Sequence, residues 1–147
     1  MSRNESFDAG VSHLGSSQHL APRTFGLGGK YTTRPIGLFG KPETGTNPKY
    51  AKGVEAVHTN SGRRIGYVDW FDPSTNRNGE YTGTPHPQGS PDATRSAIYK
   101  AQVSKNMQRK GFGKAMLDHA RDLRPGLQHS GPQALSPEGA AWAAKHG

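Results

Sequence analysis

Gln108-Arg109-Lys110-Gly111-Phe112-Gly113-Lys114 is the stretch of this chain whose residue types and spacing suit a chemical task. Gly111 and Gly113 carry no Cβ, so a ligand can approach their backbone closely. Arg109, Lys110 and Lys114 surround that backbone with fixed positive charge. Where such a turn opens a helix, the first amides have no intrahelical acceptor and point outward at the positive end of the helix dipole. Loop amides, helix N-terminus and basic side chains together suit a phosphate or a diphosphate. A solvated strand–helix turn with incidental charges is the competing account of the same residues.

The elements that must position this turn are legible on both sides of it. Ala97 to Val103, AIYKAQV, is β-prone and free of Gly and Pro. From Gly113 onward, small and apolar residues fall at Gly113, Met116, Leu117, Ala120 and Leu123, the spacing of one helix face. The order is therefore strand, glycine-bearing basic turn, amphipathic helix over 113–123.

With those flanks, the pattern of Gln108, Gly111 and Gly113 after Val103 resembles the acyl-CoA loop of the GNAT superfamily of N-acetyltransferases, whose signature is Gln/Arg-x-x-Gly-x-Gly/Ala. The resemblance spans Lys52 to Gly147. It implies an α+β fold with a reduced GNAT-like mixed sheet built on this central strand–loop–helix. It also implies acetyl-CoA as co-substrate, with its diphosphate on the amides of Arg109 to Lys114, Phe112 included, and its pantetheine along the end of the strand at Val103. The family often takes its general base from a carboxylate on or near the preceding hairpin, which here offers Glu55, Asp69 and Asp72. Its general acid is often a Tyr in a later helix, a region where this chain has Trp142; His129 and Ser130 are the polar groups placed to substitute. The chain departs from the family pattern in having no counterpart of its first two helices in residues 1–49 and none of its terminal strand pair after the Trp142 helix.

Composition bounds the rest. Only 31% of the 147 residues are hydrophobic, and Gly (20) and Pro (11) are abundant, which predicts a compact part and a long irregular part. Residues 1–51 read as an extended Gly/Pro/Ser-rich arm, with Phe25, Leu27, Ile36, Leu38 and Phe39 as apolar anchors that need cover from a partner or a neighbouring copy. Residues 52–147 read as the folded domain. In it, Gly53–His58 and Arg64–Phe71 flank turn chemistry at 59–63 and predict an antiparallel hairpin. Residues 72–92, with four prolines and three glycines, read as a long loop without regular structure. Leu127 to Ser130 suit one short strand. Ser136-Pro137-Glu138 starts a last helix, with Leu135 and Ala140 as its staple and Trp142 as its core anchor.

A net charge of +8 favours anionic partners, although the scattered aromatics form no nucleic-acid-binding motif. No cysteine is present, which excludes disulfides and thiolate–metal sites. The seven histidines are dispersed, without His-x-x-x-His or His-Glu-x-x-His spacing, so no metal is expected. No Walker loop, Gly-x-Ser-x-Gly elbow or paired carboxylates appear. No run has the length of a membrane span, and the N-terminus lacks the apolar core of a signal peptide. The chain reads as cytoplasmic, or as part of a virion assembled in the cytoplasm. Three functions fit. The first is an acetyl-CoA-dependent N-acetyltransferase acting on an unidentified amine. The second is a non-catalytic structural or interaction protein, such as a bacteriophage virion component, whose arm docks into an assembly or homo-oligomer. The third is a basic nucleic-acid-binding protein.

Overall fold

The computed structural model describes residues 20–37, 40–43, 47–75, 81–83, 95–129 and 137–146. The fold is α+β. Five strands form one sheet: β1 (Arg23–Phe25), β2 (Tyr31–Ile36), β3 (Gly53–His58), β4 (Arg64–Phe71) and, completing its far edge, β7 (Ala97–Val103), in the order β1-β2-β3-β4-β7. Between β4 and β7, β5 (Ser74–Thr75) and β6 (Tyr81–Gly83) make a separate two-stranded ribbon. Helix α1 (Phe112–Leu123) follows β7, and α2 (Pro137–His146) comes last.

The sheet shows where the irregular-arm expectation fails. Residues 23–25 and 31–36 are strands of the main sheet, and β2 pairs with β3 along its whole length, from Tyr31↔His58 to Ile36↔Gly53. No boundary at residue 51 separates β1 and β2 from β3. Tyr31-Thr32-Thr33-Arg34-Pro35-Ile36 lacks simple alternation of polarity because both of its faces are largely covered: Thr32, Thr33, Pro35 and Ile36 are all buried. Leu20 is in the core and Phe25 packs against it. Ile36 is buried by its own chain, whereas Leu27, in the turn between β1 and β2, is 98% exposed and anchors nothing here. Leu38 and Phe39 lie outside the described residues.

The sheet is antiparallel rather than mixed; its parallel component among the described residues is a single bridge, Ala97↔Gln128. That bridge carries Ile98 N–H to Gln128 O (2.8 Å) and Gln128 N–H to Ser96 O (3.1 Å), and it is the strand-like pairing seen among the described residues 127–129 of the expected 127–130 strand. The β3–β4 hairpin is as expected. Within 72–92, residues 74–75 and 81–83 pair as β5 and β6, where the sequence predicts no regular structure; 76–80 and 84–92 lie outside the described residues.

Strand alternation decides which side chains face α1. Tyr31 and Thr33 of β2, Val54 and Ala56 of β3, and Val68 and Trp70 of β4 turn toward the helix, and Phe112, Met116, Leu117, Ala120 and Leu123 meet them. Buried His119 joins this layer through Nδ1, 2.9 Å from Thr33 Oγ1. The helix begins one residue earlier than the periodicity predicts, because Phe112, not Gly113, leads the buried stripe.

At the other end, Arg124 closes the helix where Pro125-Gly126 stops it. Its guanidinium reaches Asp72 by Nε to Oδ1 (2.7 Å) and Nη2 to Oδ2 (3.1 Å), and also donates to the carbonyls of Pro48, Lys49, Ala51 and Leu123. One side chain therefore ties the end of α1 to the start of the hairpin and the end of β4.

Candidate functional site

β7 ends at Val103, and the chain then makes a tight helical turn, Lys105–Met107, before the basic segment. Gln108 folds back, its Nε2 donating to Val103 O at 3.1 Å, so its amide braces the turn it belongs to. Arg109 sits at φ 64, a left-handed conformation that costs an L-residue roughly 1–2 kcal/mol. Gly111, also left-handed at φ 89, is the N-cap of α1 and offers no side chain to cap it. The first helical hydrogen bond runs from Ala115 N–H to Gly111 O (3.0 Å). The amides of Gly111, Phe112, Gly113 and Lys114 consequently have no acceptor among the described residues.

Space agrees with this at one glycine and not at the other. A Cβ on Gly111 would meet nothing within 4 Å, so the backbone there faces open space. A Cβ on Gly113 would come to 2.8 Å from Trp142 Nε1. Gly113 is therefore the position where α2 lays its indole against α1, a packing role that the signature spacing alone does not reveal. Gly113→Ala is expected to displace Trp142 and cost about 1–2 kcal/mol, overpacking outweighing the gain in helix propensity. Near-ultraviolet circular dichroism of the indole and urea denaturation check it.

The side chains of the segment divide. Arg109 and Lys110 are exposed. Lys114 is exposed and pairs with Asp118 at 2.8 Å, one turn along the helix. Phe112 points the other way, into the core, and can offer a ligand its amide only.

The acid–base candidates fare differently. Glu55 is 3% exposed, and each of its oxygens is taken by a guanidinium: Oε2 by Arg34 Nε (2.6 Å) and Oε1 by Arg64 Nε (2.8 Å). A carboxylate neutralised on both oxygens and closed to solvent is no proton acceptor for a substrate, so Glu55 is corrected to an ion-pair residue. Asp72 is likewise committed. Burial alone would raise its carboxyl, but hydrogen bonds from Arg124, Ser96 and Lys52, with the Arg124 charge, hold it below its ordinary value.

Asp69 is different. It is half-buried on β4, paired with Gly53 on one side and Lys100 on the other, and it has no hydrogen-bond partner among the described residues. Burial raises its carboxyl above the ordinary value against the pull of Arg64 and Lys100. Of the carboxylates on the hairpin, this one is left free to accept a proton.

His129 follows the parallel bridge and packs edge-on against Trp142, ring centroids 5.2 Å apart. Burial, with the charges of Arg121 and His146 nearby, lowers its imidazole below the ordinary value. Its Nε2 and the Trp142 Nε1 are buried without partners among the described residues. His129 thus lies on the α1 side, whereas the register puts Asp69 on the opposite face, and the two do not form a pair. Ser130 lies outside the described residues, as do Leu135 and Ser136.

Sequence reasoning missed Arg34, Arg64, Tyr67, Lys100 and Gln102, which the sheet collects on the face away from α1. Tyr67 Oη donates to Gln102 Oε1 at 3.1 Å. The Arg64 guanidinium carbon and Lys100 Nζ stand 5.0 Å and 5.8 Å from the Tyr67 ring centre. No local pattern announces this set, because it is assembled across three strands, one of which does not read as a strand. Among the described residues no group of three or more His, Cys, Asp or Glu side chains is placed to hold a metal ion, and no helix is long and apolar enough to cross a membrane.

Comparison with protein-family models and with curated proteins finds no match to this chain.

Proposed function

We propose that the 103–114 segment binds the diphosphate of acetyl-CoA and that the protein is an N-acetyltransferase of GNAT-like fold. The observation that carries the reading is the uncapped start of α1. Four consecutive amides, from Gly111 to Lys114, have no acceptor among the described residues, and the first of them stands where a Gly111 Cβ would meet nothing within 4 Å, beside exposed Arg109 and Lys110. An anion there gains hydrogen bonds and dipole stabilisation together. The chain path lends support: β7, the loop, α1, then a segment that bridges back parallel to the start of β7 through Gln128.

In this reading an amine attacks the thioester carbonyl, an N–C bond forms and the C–S bond breaks. Asp69 takes the amine proton, and CoA leaves as a thiolate that is protonated from solvent. The raised Asp69 carboxyl and its lack of a hydrogen-bond partner support that role.

The non-catalytic assembly reading rests on apolar islands that need outside cover. Phe25 and Ile36 have cover from their own chain, so that reading loses its principal argument over residues 20–36.

Isothermal titration calorimetry with acetyl-CoA tests the proposal. At about 100 times the dissociation constant, acetyl-CoA should stabilise the protein by roughly 2.7 kcal/mol. Gly111→Val, which puts a branched side chain where the phosphate approaches and strains a backbone held at φ 89, should weaken binding about tenfold or more, with circular dichroism checking that the variant is folded. Asp69→Asn should leave acetyl-CoA affinity unchanged and abolish thiol release in the presence of amines. Equal affinity in wild type and Gly111→Val sinks the loop assignment.

A further inference from the structure

A feature on the opposite side of the sheet has no part in that reading. Glu55 is one carboxylate shared by two arginines, each bound through Nε alone. An arginine–carboxylate pair is commonly bidentate, which occupies two of the guanidinium donors. Here the sharing leaves donors over. Neither Nη of Arg34 has a partner among the described residues, and Arg64 uses only Nη2, for Gly40 O at 3.2 Å. Neutralising Glu55 requires one cation, and the site holds two. The Arg34 side chain is 31% exposed and that of Arg64 41%, so both side chains reach solvent.

The second cation is also held in place. Arg64 is fixed by Glu55, by Gly40 O and by the face of Tyr67, whose ring is itself tethered through its hydroxyl to Gln102. Arg34 and Glu55 are direct cross-strand partners, as are Glu55 and Tyr67. A guanidinium already immobilised loses little rotamer freedom when a ligand arrives.

We propose that Arg34 and Arg64, held by Glu55, form a binding site for a single compact oxyanion, a carboxylate or phosphate monoester on a small molecule. The charges around it argue for that size. Arg34, Arg64 and Lys100 are offset by Glu55 and Asp69, leaving a local excess of one positive charge rather than the stripe that a nucleic acid backbone needs. The site stands on its own geometry. Its extension to the reaction rests on the acetyltransferase reading: Asp69 shares this face, two residues along β4 from Tyr67, so an acceptor whose anionic end lies on the arginines places its amine toward Asp69.

The test uses the full chain at low salt, titrated separately with inorganic phosphate and with acetate, following arginine Nε–Hε and Tyr67 signals by NMR. Saturable shifts of Arg34, Arg64 and Tyr67 that follow one isotherm are expected, with a Kd of about 1 mM, separate from any shift of Arg109 at the α1 loop. The tighter of the two anions identifies the oxyanion source. Arg34→Gln and Arg34→Lys should each weaken the titration about fivefold or more, the second because it retains the charge but loses the forked donors. Arg109→Gln, in the α1 loop, should leave it unchanged, which separates this site from the acetyl-CoA site. Shifts spread evenly over surface lysines and arginines, or an unaltered titration in folded Arg34→Lys, overturn the proposal. So does steeply salt-dependent binding of a single-stranded oligonucleotide to these same residues.

Discussion

Replacing Phe112 by alanine is expected to remove about 3–5 kcal/mol of unfolding free energy, the usual cost of deleting a buried aromatic side chain. Phe112 is 2% exposed at the first turn of α1. It meets Tyr31 edge-on with centroids 4.7 Å apart and Phe25 at 5.5 Å, and Phe25 and Tyr31 are themselves 5.5 Å apart. The three rings join β1 and β2 to the helix, so the loss is not local to the loop. Hydrogen exchange of the wild type should protect amides of 31–36 to the level of global unfolding, and Phe112→Ala should lower that protection together with that of α1. Urea denaturation with exchange detection checks both. A cost below about 1 kcal/mol, or β2 exchanging freely in the wild type, would contradict the packing of these three rings.

Arg124→Ala is expected to cost about 2–3 kcal/mol, below the range for breaking a fully buried ion pair, because this pair is only partly buried and Asp72 keeps Ser96 and Lys52. The carbonyls of Pro48 and Ala51 lose a donor at the same time. Against a total stability of about 5–15 kcal/mol, either this change or Phe112→Ala is severe. Acid provides a second readout. Asp72 has its folded-state carboxyl below the ordinary value of 3.8. Its contribution is therefore fully present above that value and is lost as pH falls through the depressed one. Denaturation midpoints between neutral pH and pH 3 should show wild type losing stability at the acid end. Arg124→Ala, already without the pair, should lose less. Parallel pH curves for the two proteins would contradict the assignment.

The legibility of the fold tracks how local each signal is. The β3–β4 hairpin carries its turn residues between two β-prone runs, and α1 carries its own apolar stripe; both are readable because a few neighbouring residues specify them. β2 is not, since its Thr, Arg and Pro look like linker until β3 lies beside it. Pro35 is tolerated in the strand, and buried Thr33 finds its side-chain partner in His119, 86 residues away in sequence. Phe112 reads as a loop residue since a one-residue difference in where the helix begins turns its side chain from solvent to core.

The candidate site divides along the same line. Residue types and spacing alone mark Gln108 to Lys114 as a glycine-bearing basic turn opening a helix, because an exposed helix start depends on a short run of backbone. The family resemblance adds Glu55, Asp69 and Asp72 as candidate bases without ranking them. Only the tertiary structure distinguishes these, because what separates one carboxylate from another is its partners. Arg34 and Arg64 occupy Glu55, Arg124 occupies Asp72, and Asp69 lies over Gly53 with neither kind of partner. Gly113 is the same lesson in packing: its sequence position suggests a ligand, and its neighbour in space is Trp142. Charge pairing and close contact are set by residues tens of positions apart, which no local pattern can report.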